Sequence, residues 1–445
     1  MMREPAFSIL KKPQRMALAG RRVLVLGLGD TGLSMARWVE HHGGAPRVAD
    51  TRASPPRKKD FSGELHAGPF AASLLDGVEL VCISPGLSLE SEVVRRAVAK
   101  GIPVLGDVEL FAWENKVPVL AITGTNGKTT VTALTGHLLR SAGVDCEVAG
   151  NISPPVLDSS LARKKPPAVW VLELSSYQLE TTWSLAPRAA AMLNLTEDHF
   201  DRYASLDDYG AAKARVFADA GVQVLNRDDE RSLAMALPGR EIVTFGLDAP
   251  RDNDFGVRDG KLVRGTKEIL QIADLPIRGT HNVANALAAC ALVATLDASL
   301  GGLKTFKGLP HRLELVATRR GVEWYDDSKG TNVGATIAAL RGLGKKAVLI
   351  LGGEGKGQDF TPLREPVRDF CVKTFLIGRD AALIEKALAG LPTERATSLE
   401  QAVEKAFTVK AEAVLLSPAC ASFDMFRDYK HRGDVFAAAV RSLPA

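Results

Sequence analysis

Short apolar runs bounded by glycine, asparagine or proline alternate along the chain with longer stretches whose apolar residues recur every three or four positions. The short runs have the length of strands buried on both faces and the longer stretches have the period of helices. Their alternation predicts an α/β fold with parallel sheets. Three groups stand out. The first has strands at Arg22–Leu26, Pro46–Asp50, Glu79–Ser84 and Pro103–Leu105, with a helix running through Trp38, and reads as a small Rossmann-like unit. The second has apolar runs at Val117–Ile122, Val169–Glu173, Ala189–Leu193, Val222–Leu225 and Glu241–Phe245. A hairpin over Phe255–Arg264, turning at Asp259-Gly260, and a helix from His281 to about Leu296 complete it. The third has strands near Val322–Tyr325, Ala347–Gly352, Thr374–Ile377 and Ala413–Leu416, each followed by a helical stretch. Boundaries near 106 and 308 divide the chain into 1–106, 107–308 and 309–445, and residues 1–19 read as a frayed extension.

Composition narrows the class. The 445 residues are 46% hydrophobic and 24% charged, as in ordinary globular domains. A net charge of +4 with no dense Lys/Arg block argues against nucleic acid and suits a small anionic substrate. The five cysteines are scattered, without a C-x-x-C pair, which excludes a disulfide framework or a zinc site and points to a reducing, cytoplasmic setting. The apolar run Ala6–Leu10 is too short for a signal peptide, and Ala286–Leu296, stopped by Asp297, is too short to span a bilayer.

The densest chemistry lies at Gly124-Thr125-Asn126-Gly127-Lys128-Thr129-Thr130, between the run Val117–Ile122 and a helical pattern through Val131, Leu134 and Leu138. A strand turning through glycines into a helix aims free backbone N–H groups and the positive end of the helix dipole at one point, where phosphate fits. Lys128 supplies charge to terminal phosphates, and Thr129 is placed to ligate magnesium. Ile122 stands where the common Gly-x4-Gly-Lys spacing needs glycine, so the loop is a shorter variant.

Other positions carry two readings each. Gly27-x-Gly29-x-x-Gly32, with Asp50 eighteen residues beyond Gly32, fits a diphosphate turn or tight strand-helix packing, and Asp30 is expected to face a base or ribose donor. Glu173 ends an apolar strand, as a metal carboxylate beside a phosphate loop does, or as a salt-bridging glutamate does. Lys213 lies in the apolar stripe of a helix expected over Leu206–Ala218. It either snorkels to water or stays desolvated as a neutral amine able to take up carbon dioxide as a carbamate. Asn282 and Asn285 share a helix face, and Asp327–Asn332 and Gly352–Gly357 follow strand ends, with Lys329 and Lys356 suited to carboxylates.

Six segments in order, Gly124–Thr130, Glu173–Glu180, Glu197-Asp198-His199, Gly308–Arg312, Asp327–Asn332 and Ser417–Asp424, resemble the Mur ligases, over about residues 22–435. The resemblance is to the branch that adds D-glutamate to UDP-N-acetylmuramoyl-L-alanine. It implies three domains: a Rossmann-like one for the UDP moiety, a central phosphate-loop ATPase and a Rossmann-like one for the amino acid. It implies ATP on Gly124, Thr125, Asn126, Gly127, Lys128, Thr129, Thr130, Asn282, Asn285, Arg312 and Asp327. The nucleotide-sugar would meet Thr31, Thr51, Arg52, Ser84, Gly86, Asn151 and His199, and glutamate would meet Lys329, Thr331, Lys356, Ser422 and Tyr429. Two magnesium ions are implied, one on Thr129 and Glu173 and one on His199 and carbamylated Lys213, making Lys128, Glu173, His199 and Lys213 the catalytic set. A cytoplasmic monomer that binds neither nucleic acid nor membrane is expected. Rival readings are a folylpolyglutamate-type or L-glutamate-adding ligase, a nicotinamide dehydrogenase on the glycine turn, and a GTPase switch. For the switch, Asn226-Arg227-Asp228-Asp229 would read guanine, but its Asp207–Gly210 partner falls inside a helical pattern.

Overall fold

The computed structural model describes residues 6–219 and 221–444, and among them the chain forms three separate sheets. The first is five-stranded and parallel, in the order Glu64–Ala67, Ala45–Asp50, Arg22–Leu26, Leu80–Ile83, Val104–Leu105. Strand order reverses direction at Arg22–Leu26, so a crevice opens past the carboxyl ends of this strand and Leu80–Ile83. Helix Asp30–His41 starts in that crevice. A Cβ on Gly32 would lie 1.8 Å from the Gly27 carbonyl oxygen, so the turn closes only with glycine there.

In the nine-stranded second sheet, Val119–Thr123 runs between Val169–Glu173 and Ala189–Met192, parallel to both, with all five residues buried. The helices Lys128–Ser141 and Thr280–Ala294 pack together on one face, burying Val131, Leu134, Leu138, Leu287 and Leu292. The expected hairpin is present as Phe255–Arg258 and Lys261–Arg264, antiparallel about Asp259-Gly260. The third sheet is six-stranded and parallel, apart from the antiparallel edge strand Glu314–Arg319.

Several expectations are corrected. Strands at Glu64–Ala67, Cys146–Gly150, Lys267–Gln271, Glu314–Arg319 and Thr393–Arg395 were not read from the sequence. All lie at or next to a sheet edge, where solvent on one side allows polar residues and erases the apolar run. The helix expected over Leu206–Ala218 ends at Ala214 and tightens into a 3-10 turn, Arg215–Phe217. The Arg215 side chain donates to the Leu179 and Thr182 carbonyls at 2.7 and 2.8 Å, and Val216 and Phe217 turn into the core. The extension, where described, is docked rather than frayed: Leu10 and Leu18 are buried, and the Phe7 ring lies 5.4 Å from the Arg215 guanidinium carbon. Residues 1–5 lie outside the described residues. No described helix is long and apolar enough to cross a membrane.

Candidate active site

The loop after Val119–Thr123 is held from outside by Asn194, two residues past the neighbouring strand. Asn194 Oδ1 accepts from the Asn126 amide at 2.8 Å, its Nδ2 donates to the Asn126 carbonyl at 3.1 Å, and its own carbonyl accepts from Thr125 N. Gly127 takes a left-handed φ of 84°, and a Cβ there would sit 2.4 Å from Asn285 Oδ1. Asn285 therefore lies against the loop. It donates to Asn282 Oδ1 at 3.1 Å, and Asn282 is anchored to the Arg278 carbonyl at 2.7 Å. Lys128 Nζ folds back onto the Gly124 and Thr125 carbonyls at 2.9 and 2.8 Å. Burial holds it below the usual lysine range, with Glu173 and Asp198 opposing the shift. Thr129 and Thr130 follow on the first helical turn.

Glu173, at the carboxyl end of the adjacent strand, is buried. Its Oε1 accepts from Asn151 Nδ2 at 2.7 Å, whereas Oε2, equally buried, has no hydrogen-bond partner. A lone carboxylate oxygen inside a protein is costly unless a cation or donor meets it, and it sits beside the phosphate loop. A carboxylate oxygen is the type of donor that hard cations such as magnesium take.

Lys213 does not snorkel. Its side chain is 1% exposed, and Nζ donates to the Gly124 carbonyl at 2.8 Å while lying 4.5 Å from the centre of the Tyr209 ring. Burial first, and then Lys128, push its pKa well below the lysine range, against the pull of Asp198 and Glu173. His199 adopts a left-handed φ of 59° and stacks edge-on against Tyr177 and Tyr209. Burial lowers its pKa, so the neutral imidazole is favoured.

The third sheet brings its own set to the same place. Arg312 is depressed by burial and feels Glu173, Tyr429 and Asp327. Asp327 Oδ2 accepts from Ser417 at 2.7 Å, and burial raises its pKa to about 7. Lys329 lies 4.2 Å from the centre of the Tyr429 ring, and burial, then Arg312 and Lys128, bring it down to about 8. The amide of Thr331 donates to the Lys329 carbonyl. Lys356 is exposed on a loop joined to the segment before buried Ser422 by a bridge between Glu354 and Ala421. Asn332 ties this body to the phosphate loop: its Nδ2 lies 3.2 Å from Asn126 Oδ1 and 3.3 Å from Asp198 Oδ2.

In the first body a cavity of about 460 Å³ is lined by Thr31, Thr51, Arg52, Ser84, Gly86 and, from the second body, Asn151. Asp50 also lines it. It accepts from Leu28 N at 2.7 Å and from Arg52 at 2.8 and 2.6 Å, and Arg52 brings its pKa to about 2. Asp30 also lines the cavity, where its carboxylate pairs with Arg57 at 3.2 Å. Asn226 is spent on the Leu193 carbonyl at 2.8 Å, and Asp207 lies inside a helix paired with Arg231, which leaves the guanine-reading motif without its geometry. Sequence reasoning gave no role of their own to Asn194, Asn332 or Ser417, although the last two lie in segments that carry the resemblance. The signal available for Asn194 and Ser417 was a short polar residue at the carboxyl end of a strand.

A phosphate loop approached from both sides by Rossmann-like α/β bodies defines a three-domain α/β protein built to bind a nucleotide. Family models agree piece by piece: Mur ligase MurD-like, N-terminal domain over residues 21–106, Mur ligase middle domain over 122–293, and Mur ligase, glutamate ligase domain over 311–420. The chain belongs to the Mur ligase family. It is 52% identical to the UDP-N-acetylmuramoylalanine--D-glutamate ligase of Thiobacillus denitrificans, covering 97% of this chain and 98% of that one. It is 47% identical to the protein of the same name from Nitrosomonas europaea, over 96% and 98% of the two chains. Among solved structures, the UDP-N-acetylmuramate-alanine ligase of Thermotoga maritima shares the fold, with a TM-score of 0.61 at 19% identity over 95% of this chain and 99% of that one.

Proposed function

We propose that this chain joins D-glutamate to UDP-N-acetylmuramoyl-L-alanine at the expense of ATP, in cytoplasmic peptidoglycan precursor synthesis. The observation that carries the reading is geometric: Asn332 of the third body lies 3.2 Å from Asn126 of the phosphate loop, so the segment Asp327–Asn332, with the carboxylate-suited Lys329, is held beside that loop. The nucleotide-sugar enters from the first-body cavity, in contact with Thr31, Thr51, Arg52, Ser84, Gly86 and Asn151. Its alanyl carboxylate attacks the terminal phosphate of ATP, the bond to ADP breaks, and an acyl phosphate forms. The glutamate amine then attacks the acyl carbon, phosphate departs, the amine loses a proton, and the amide remains.

The chain's own residues position these steps. Loop amides and Lys128 hold the phosphates, Asn282, Asn285, Arg312 and Asp327 the rest of ATP, and Lys329, Thr331, Lys356, Ser422 and Tyr429 the glutamate. Thr129 and Glu173 would hold one magnesium ion, and His199 with a carbamate on Lys213 a second. When bound, the ions supply positive charge at the phosphate oxygens, where it lowers the barrier most. The neutral amine of Lys213 forms that carbamate by adding carbon dioxide and losing a proton, which puts an anion that attracts metal where an ammonium would repel it. The enzyme works as a monomer, without nucleic acid or membrane. The test is phosphate release from ATP with UDP-N-acetylmuramoyl-L-alanine, offering D-glutamate, L-glutamate, L-lysine and diaminopimelate in turn. Release only with D-glutamate is expected, and release with another amino acid alone overturns the assignment.

A further inference from the structure

Two residues with no place in that account span the distance between its two ends. Arg202 donates to the Leu87 carbonyl at 2.7 Å and reaches the Pro85 carbonyl at 3.5 Å, both on the rim of the first-body cavity. Its other amino nitrogen lies 2.5 Å from Glu180 Oε2, an ion pair with side chains only 15% and 2% exposed. The same guanidinium sits 4.5 Å from the centre of the Tyr177 ring. Tyr177 Oη in turn is 2.7 Å from His199 Nδ1. A left-handed histidine persists only where its surroundings hold it, and this chain of contacts is part of what holds it.

With Nδ1 against the tyrosine, Nε2 is the ring nitrogen left to meet a ligand. It points toward Asp198, 3.8 Å from Oδ2, the oxygen that Asn332 bonds beside the phosphate loop. A neutral imidazole offers a lone pair at one nitrogen only, so a ligating Nε2 requires the proton on Nδ1, donated to the Tyr177 oxygen. We propose that Tyr177 and Arg202 are positioning residues. Tyr177 fixes the orientation and tautomer of His199 so that Nε2 is the ligating atom, and Arg202 sets Tyr177 from the loop that rims the nucleotide-sugar cavity. Seating of that substrate is thereby felt at the metal side of the reaction centre. The inference rests on His199 holding magnesium.

Tyr177→Phe removes one oxygen and leaves the ring contacts with Arg202 and Tyr203 in place. Arg202→Lys keeps the charge but loses the planar fork that reaches Leu87 and Glu180 at once. Manganese binding to each variant is followed by electron paramagnetic resonance, with nucleotide-sugar and a non-hydrolysable ATP analogue present. The KM of each substrate is measured alongside. Loss of a partner behind a ligating histidine weakens metal binding by about ten-fold or more, so one of two manganese ions should weaken by that factor in Tyr177→Phe. The KM for ATP should stay within about two-fold in that variant. Arg202→Lys should weaken the same ion by a smaller factor and raise the KM for the nucleotide-sugar, a split that a merely structural arginine would not produce. Unchanged manganese binding in Tyr177→Phe, with binding lost in His199→Ala, overturns this proposal alone. Unchanged binding in both overturns the reading of His199 beneath it.

Discussion

Lys213 and Lys128 donate to one oxygen, the carbonyl of Gly124, at 2.8 and 2.9 Å. Two ammonium groups sharing an acceptor inside a protein repel each other: unit charges about 4 Å apart interact by about 4 kcal/mol at the effective dielectric near a protein surface. The more deeply buried amine, Lys213, is the one whose pKa is pushed well below the lysine range, by burial first and then by Lys128.

That relationship predicts a dependence on carbon dioxide. Enzyme degassed and assayed without bicarbonate should lose activity and regain it when bicarbonate returns. Lys213→Ala should be nearly inactive, and acetate or formate should restore part of the rate by filling the empty anionic position. A wild-type rate indifferent to bicarbonate, together with no rescue, would remove the carbamate from the account.

Lys128→Ala should leave the fold intact, because the helix it begins is held by Val131, Leu134 and Leu138 in the core. Turnover should fall roughly a hundred-fold or more, since a charge acting where the transition state needs it is gone. Steady-state rates and circular dichroism on the same preparation check both halves.

Changing Lys329 or Lys356 to alanine should raise the KM for glutamate far more than that for ATP. Lys329 carries a pH prediction as well. Its pKa near 8 means the ammonium is present below pH 8 and lost as pH rises through it. The wild-type KM for glutamate should therefore climb above pH 8, and Lys329→Arg, which stays charged, should flatten the climb. Initial rates at saturating ATP across pH 7 to about 9.5 decide it.

Asp50 gives the acid side of the profile. Arg52 and two backbone amides depress its pKa to about 2 in the folded chain, against about 3.9 unfolded. Its contribution to stability is thus complete above pH 4 and lost as pH falls toward 2. Asp50→Asn should melt below wild type at neutral pH, and the gap should narrow below about pH 4. Thermal melts at stepped pH measure it.

The parts that were legible in the sequence are those written in consecutive residues. Gly124–Thr130 is one turn, and the strand that leads into it, Val119–Thr123, is buried throughout and reads as an unbroken apolar run to Ile122. Edge strands such as Thr393–Arg395 were illegible because a strand with solvent beside it imposes no apolar pattern. Lys213 stood halfway: the helix period placed it in an apolar stripe, but only the Gly124 carbonyl, brought from 89 residues away, shows why it stays inside. Tyr177, Arg202 and His199 could not be joined at all, since their link depends on a left-handed turn at a residue that is not glycine.

Asn332 accepts from Ala335 N at 2.8 Å through Oδ1, capping its own helix, and spends only its amino group on Asn126 and Asp198. The division of labour within one amide separates holding from folding. Pulling that helix away from the loop unmakes the two long donor bonds, at a net cost of about 1 kcal/mol each, while the cap travels with the helix and keeps it wound. At this one point of contact the tie between the bodies is light, like a latch whose spring stays on one side of the door.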